Sequence, residues 1–497
     1  MQSSESVVIV GGGMGGMATA LALGRAGHPV TVLERDPLPA RADAEEAFLA
    51  PRRGAPQVHQ THGFLARLQV VLRQRFPDVL AELLDRGAMR LPTTADLGEA
   101  QPGDEDLEVV ITRRTTLDWV LRSAVLAEPS VEIRTDTTVA GLVADSGAGT
   151  TPVVRGVRLD DGTELEADLV VAATGRRDAV PAWLAEIGVS LSEVVHESGL
   201  MYLSRWYRLP DGFDIAQLDA KLGGDLGFVK YLGVPGDAGT LSITLAIRPD
   251  DRELRQVLSD PHGFEEGCRR LPGPDQFFHY PLRPVGEVRP MAGLVNRARR
   301  YLDDQGRPAV LGFHAVGDAH TCTNPLYGRG CALALVEAVE LADAMAACPG
   351  DPAARSVAYE MACARQVAPW HELSVQMDKM GADPAGLSAG PPDPNNPMAT
   401  ILAAAATDPV LGRGFAKLWN LIATPAELAA DPIYTTRVAA VLAKPERYPP
   451  PERVGPTRNE FLEAVRPLLG AGAGAGTDDA GGDRSLPALD EEATTHA

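Results

Sequence analysis

Basic residues are scarce in this chain: 46 lysines and arginines stand against 67 aspartates and glutamates, a net charge of −21 over 497 residues. That balance argues against a nucleic-acid partner and against binding to an anionic membrane surface, and mainly implies solubility. Cysteine is sparse too. The five present (Cys268, Cys322, Cys331, Cys348, Cys363) are an odd number without a CxxC or a Cys/His ligand spacing, so neither a disulfide framework nor a metal centre is suggested. No run reaches the roughly 18 apolar residues of a membrane span, and no basic-then-apolar leader precedes the first strand. The expectation is a soluble, cytoplasmic protein with reduced thiols and no membrane span. Glycine-alanine alternation with acidic residues over 471–497 reads as a disordered tail.

What is present begins at Val7-Val8-Ile9-Val10, which runs straight into Gly11-Gly12-Gly13-Met14-Gly15-Gly16 and then a helix-forming stretch to Arg25. The order is strand, tight turn, helix. Gly11, Gly13 and Gly16 fall as GxGxxG: Gly11 makes the turn, Gly13 lets backbone approach a pyrophosphate, and Gly16 lets helix and strand pack closely. The helix N-terminus, with Met14 and Gly15, presents N–H groups and partial positive charge to phosphates. A second strand, Pro29 to Leu33, ends in Glu34-Arg35, about where a carboxylate takes the adenosine ribose hydroxyls. The first task of this chain is to bind a dinucleotide.

The segment from Arg35 to Pro56 lacks either period and reads as a long loop beside the cofactor. Gly54 to Phe64 is densely polar ahead of an apolar helix, Leu65 to Arg86, and offers Gln57 and His62 as pocket candidates. Arg113 and Arg114 open another helix after a short strand at Val109–Thr112. Strands then run from Val131 to Glu166, with a hairpin turn at Asp161-Gly162. The uninterrupted apolar strand Asp168 to Ala173 requires a sheet covered on both faces, and it ends in a second glycine turn, Thr174-Gly175. From about His196 the pattern alternates. Leu241 to Arg248 reads as a half-exposed antiparallel strand, part of an inserted sheet that walls a substrate pocket, with Arg205 as a third pocket candidate; a dimerisation or purely structural sheet is the alternative. The chain returns to the first domain with the strand Ala309–Val316, followed by Gly317-Asp318 and by Pro325-Leu326-Tyr327-Gly328-Arg329-Gly330-Cys331, which opens a long helix. Asp318 can bond polyol hydroxyls, and the helix entrance can aim N–H groups at a polar ring edge. His314 and His320 read as packing or loop residues. From Pro352 on, the chain is alanine-rich and helical between proline clusters.

The fold class is α/β: a Rossmann-like binding domain (1–195 and 296–350), an inserted antiparallel sheet domain (196–295), a helical region (351–470) and the tail. Together, the Gly11–Gly16 turn with Glu34, the strand ending in Thr174-Gly175, and Gly317-Asp318 with Pro325-x-x-Gly328-x-Gly330 resemble the three motifs of FAD-dependent oxidoreductases shaped like para-hydroxybenzoate hydroxylase. Gly54-Ala55-Pro56-Gln57, Arg114 with Leu117-Asp118-Trp119, Ala173 to Arg176 and Asn324 to Gly328 look most like the bacterial flavin epoxidases of polyether biosynthesis. The resemblance implies FAD, with its pyrophosphate on Gly11, Gly13 and Gly16, its ribose on Glu34, its phosphate or ribityl region on Arg114, its ribityl chain on Asp318, and its isoalloxazine against Gly328–Cys331. It implies a monooxygenase of secondary metabolism that passes one oxygen atom of O₂, carried as a flavin C4a-(hydro)peroxide, to an apolar or aromatic small molecule by hydroxylation or epoxidation. Single-component hydroxylases of this group carry Asp-Gly where this chain has Thr174-Gly175, so the electron source is either NAD(P)H or reduced flavin from a partner reductase. The Trp-x-Trp-x-Ile-Pro signature of halogenases is absent, the five tryptophans being scattered. The main rival is an FAD-dependent dehydrogenase or reductase acting on an unsaturated or isoprenoid substrate; a flavoprotein without turnover is a third reading.

Overall fold

Val7–Val10 and Leu169–Ala172 are apolar at every position, have no polar face to give to water, and lie side by side in the middle of a five-stranded parallel sheet. The order across it is Phe313–Ala315, Leu169–Ala172, Val7–Val10, Val30–Leu33, Val131–Arg134, with every neighbouring pair parallel. Helices Met14–Arg25, Arg114–Leu126 and Gly330–Ala347 cover one face and share a core with Ile9, Leu121 and Leu335. An antiparallel sheet of Val139–Asp145, Val153–Leu159 and Glu164–Glu166 contributes to the core on the other face, with Trp183 and Tyr301. The computed structural model describes residues 4–145, 147, 150–176, 179–214, 222–381, 397–449 and 454–466; the expected tail lies outside them. Among the described residues no helix is long and apolar enough to cross a membrane.

The inserted sheet has the order Gly223–Asp225, Lys230–Gly236, Thr240–Ile247, Met201–Arg208, Arg283–Met291, all antiparallel. One face carries Leu203, Tyr207, Leu241, Ile243 and Leu245 into a core with helices Arg252–Ser259 and Pro261–Cys268. The other face is not left to solvent as its alternation suggested. Ser242 is fully buried, because this face is covered by the 59–64 segment of the first domain.

Several boundaries differ from the sequence reading. The junctions at 195/196 and 295/296 fall inside Ser192–Glu197 and Val295–Arg300, which pair in full from Ser192↔Arg300 to Glu197↔Val295. The loop from Arg35 to Pro56 contains a helix, Ala44–Leu49, capped by Asp43. The Leu65–Arg86 helix is two, Ala66–Arg75 and Pro77–Asp85, because Pro77 cannot continue a helix through Phe76. The described helices of the 351–470 region do not all pack together either. The last helix, Arg458–Val465, leaves the others and buries Phe461, Leu462 and Val465 against Leu258 and Phe264 of the inserted domain.

Candidate active site

The three glycine turns come together as the sheet places them, at the carboxyl ends of adjacent parallel strands. Gly11 has φ +111, and a Cβ there would sit 2.4 Å from Ala173 O, so the first turn is pressed against the Ala173-Thr174-Gly175 turn. A Cβ on Gly15 would lie 3.9 Å from Gly317 Cα, which joins the first helix to the third turn. From there Asp318 reaches the Gly330 helix entrance, Cys331 Sγ contacts Arg114 Nη1 at 2.7 Å, and Arg114 Nε donates to Asp118 Oδ1 at 2.6 Å. Asp118 lines a cavity together with Gly12, Gly13 and Met14, which closes the ring. Burial pushes the Cys331 thiol up to about 11 despite the nearby Arg114 cation, so it is a neutral packing group.

Glu34 ends its strand buried, with Gly12 N donating to Oε2 and Asp36 N to Oε1, at 2.8 and 2.9 Å. Arg35 beside it is exposed. The cation on this corner is Arg52, which reaches Glu34 at 3.3 Å, Asp36 at 3.0 Å and Gly12 O at 3.1 Å. Arg41 and Arg122 line the same cavity. None of the three has a recognisable spacing from the glycines; for Arg41 and Arg52 a loop with several arginines beside a phosphate turn was the hint, and Arg122 comes in from helix Arg114–Leu126. Pro325 is exposed at the start of a 3₁₀ turn, while Gly328, at φ +67, lets the loop pass so close to the 59–64 segment that a Cβ would meet Gly63 O at 2.8 Å.

A diphosphate dinucleotide fits this ring. Among the described residues a Cβ on Gly13 would meet no atom within 4 Å, so the turn opens onto free space. Among the described residues no side chain caps helix Met14–Arg25 or helix Gly330–Ala347, which leaves their entrances to a ligand. Thr115 lines the cavity, and among the described residues its buried hydroxyl has no hydrogen-bond partner, as is true of the Thr174 hydroxyl at the middle turn.

Of the pocket candidates, His62 lies near enough to the ring to feel the Arg114 cation. Its Nδ1 faces Gln60 O at 3.0 Å, so Nδ1–H donates and Nε2 is left as acceptor; burial and the Arg114 cation hold its pKa at about 3, and the ring is neutral. Gln57 lies half-buried in the 3₁₀ turn Pro56–His59 just ahead of it. Arg205 does not join them. It points to the opposite face of its strand from Ser204 and Trp206, where it pairs with Glu265 at 2.7 Å and packs on Tyr207, beside a register shift between Ser204 and Trp206. Arg205→Met is therefore expected to lower stability by about 1–3 kcal/mol and to leave substrate KM unchanged, by thermal melting and steady-state kinetics.

Three features on the pocket side were not anticipated. Ser204, Thr244, Thr61 and Ser242 form a chain of hydroxyls, with Ser204–Thr244 and Thr244–Thr61 both at 2.6 Å, that seats the 59–64 segment on the sheet. Trp206 Nε1 donates to His59 O at 2.7 Å. Below the third turn, Glu337 of the long helix accepts from Gly317 N and from His320 Nδ1. Burial opposes a charged His320, but Glu337 and Glu360 outweigh it and raise its pKa to about 10. His320, Glu337 and Cys363 place their ligand-type atoms within 4.8 Å of one another; the hydrogen bonds from His320 and Gly317 use both Glu337 oxygens, so His320 and Glu337 form a buried ion pair that holds the Gly317–His320 turn.

Residues 6–47 match the family described as FAD dependent oxidoreductase. A kynurenine 3-monooxygenase of Salinispora arenicola (strain CNS-205) is 27% identical over 375 residues, 72% of this chain and 76% of that protein. Among solved structures, PqsL of Pseudomonas aeruginosa in complex with 2-aminobenzoylacetate aligns with TM-score 0.58 and 19% identity over 78% of this chain and 98% of its own. The chain has the FAD-dependent oxidoreductase fold. A flavoprotein/dehydrogenase from Cytophaga hutchinsonii aligns equally well, at TM-score 0.58 and 13% identity over 89% and 99% of the two chains, so this oxidoreductase fold by itself does not select the reaction. The family match and these flavoprotein neighbours support FAD as the cofactor.

Proposed function

We propose that this oxidoreductase is a monooxygenase that places one oxygen atom of O₂ on an apolar or aromatic small molecule, by hydroxylation or epoxidation. The observation that carries the reading is the covered sheet face: Tyr202, Trp206 and Thr244 are bonded to Asn324, His59 and Thr61, so the inserted sheet is docked on the segments that border the flavin loop. The relative named as a kynurenine 3-monooxygenase supports it. FAD, when bound, supplies the two-electron chemistry and, once reduced, the reaction with O₂.

The chain's own residues do the rest. The Gly13 turn, the entrance of helix Met14–Arg25 and Arg52 hold the diphosphate, Glu34 the ribose, and Asp318 and Arg114 the ribityl side. The entrance of helix Gly330–Ala347 stabilises negative charge at the ring edge. The sheet excludes water, while neutral His62 offers an acceptor that orients substrate, with Gln57 beside it. Electrons come from NAD(P)H or from reduced flavin delivered by a partner reductase.

The test is rapid mixing of photoreduced protein with oxygenated buffer. A transient absorbance distinct from both the reduced and oxidised spectra, outlasting that of free reduced FAD, is the expected result. A single-phase return with one hydrogen peroxide released per flavin overturns the reading in favour of a dehydrogenase or reductase of an unsaturated or isoprenoid substrate. Repeating the reduction with NAD(P)H alone identifies the donor: fast bleaching means direct use, slow bleaching a partner reductase.

A further inference from the structure

The loop Asn324–Arg329 and helix Ala368–Gly381 meet in a buried polar cluster that cofactor binding does not explain. Asp378, on that helix, is 8% exposed and accepts three hydrogen bonds. One carboxylate oxygen takes Asn296 Nδ2 at 2.6 Å; the other takes Asn324 Nδ2 at 2.8 Å and the Tyr327 hydroxyl at 2.6 Å. The amide orientations follow from their other bonds. Asn296 Oδ1 accepts from Asn324 N at 2.8 Å, and Asn324 Oδ1 accepts from the Tyr202 hydroxyl at 2.8 Å and Leu326 N at 3.1 Å. Both amides therefore turn their NH₂ groups to Asp378, which acts only as acceptor.

The same helix holds the other end of the loop. Arg329 is 1% exposed, lies 4.9 Å from the Tyr327 ring centre, and donates to Trp370 O at 3.0 Å and to Ser374 Oγ. Between these two grips stands Gly328 in the left-handed region. The helix thus fixes both ends of the segment, while Tyr202 ties it to the substrate sheet.

We propose that Asp378 is a positioning residue for the flavin: it locks the Asn324–Gly328 loop between helix Ala368–Gly381 and Tyr202, and so sets how the loop meets the isoalloxazine. The proposal rests on the assignment of this loop to the flavin. Removing the carboxylate leaves three buried donors unpaired, and the loop relaxes. The N–H groups at the helix entrance then shift against the ring, changing the stabilisation of charge on the reduced flavin.

The experiment titrates full-length apoprotein with FAD and records the dissociation constant, the visible band of bound FAD and its midpoint potential, for wild type, Asp378→Ala, Tyr327→Phe, their double variant and Asp318→Ala. Asp378→Ala is expected to raise the FAD Kd about tenfold and to move both the band and the potential. Tyr327→Phe moves them in the same direction by less, and the double variant is no worse than Asp378→Ala, since both remove one shared contact. If Asp378→Ala does not fold, Tyr327→Phe decides alone. Wild-type Kd, band and potential in these variants, even with a lowered Tm, overturn the proposal and leave Asp378 a structural residue. Asp318→Ala separates the two possible failures: if it also leaves FAD affinity unchanged, the cofactor assignment has failed rather than the clamp.

Discussion

Replacing Gly16 by alanine is expected to give a colourless, less stable protein. The added Cβ would sit 1.9 Å from Gly11 O and 3.2 Å from Ala173 Cβ, and neither neighbour is a flexible side chain that can swing away. Helix Met14–Arg25 must lift from the sheet, an overpacking that costs about 1–3 kcal/mol. The lift also withdraws the helix entrance from the diphosphate, so FAD is lost along with stability. Gly13→Ala provides the contrast. Among the described residues its Cβ would meet nothing within 4 Å, and Gly13 already has φ −80, so the apoprotein melts as wild type while the methyl occupies the space where the diphosphate approaches. Apoprotein melting and the FAD content per chain read both variants. A Gly13→Ala protein with wild-type FAD affinity would show that the diphosphate lies elsewhere.

Arg113→Met is the substitution expected to cost most in stability. Arg113 and Asp237 are 1% and 2% exposed, and Asp237 accepts from Arg113 Nε at 3.0 Å, Nη2 at 2.8 Å and its backbone N at 2.6 Å, and from the Thr112 and Thr116 hydroxyls. Asp237 sits in the turn joining Lys230–Gly236 to Thr240–Ile247, and Arg113 precedes helix Arg114–Leu126, so the pair couples the sheet domain to the helix that carries Arg114. Removing the cation leaves a buried carboxylate without its counter-charge, at about 3–5 kcal/mol.

The pH dependence has a definite sign. Burial raises the Asp237 pKa, but the Arg113 hydrogen bonds and charge outweigh it and hold the carboxyl below its ordinary value. A depressed carboxyl stabilises the fold above its unfolded pKa of about 3.9, and that contribution is lost as pH falls through the folded value. The gap in Tm between wild type and Arg113→Met should therefore be full at neutral pH and narrow below about pH 4. A gap that stays constant across that range would mean that the ion pair is not its source.

The sequence by itself determined the parallel sheet, the three glycine turns and their meeting at one sheet edge. Each of these is carried by neighbouring residues: an apolar run such as Leu169–Ala172 must be covered on both faces, and Gly11, Gly13 and Gly16 fit one turn by spacing alone. The inserted sheet was legible from alternation, yet alternation does not say which side faces the cofactor. Tertiary packing decided that, turning Ser204 and Trp206 to the 59–64 segment and Arg205 to Glu265. It also decided that Arg52 rather than Arg35 meets Glu34, because a loop can fold back in many ways and only the carboxylates at the strand end select one. Asp378 had no local signature at all. Its partners Asn296, Asn324 and Tyr327 lie 51 to 82 positions away in sequence, and what binds them is burial: donors removed from water must find an acceptor, and only the folded chain brings one within reach.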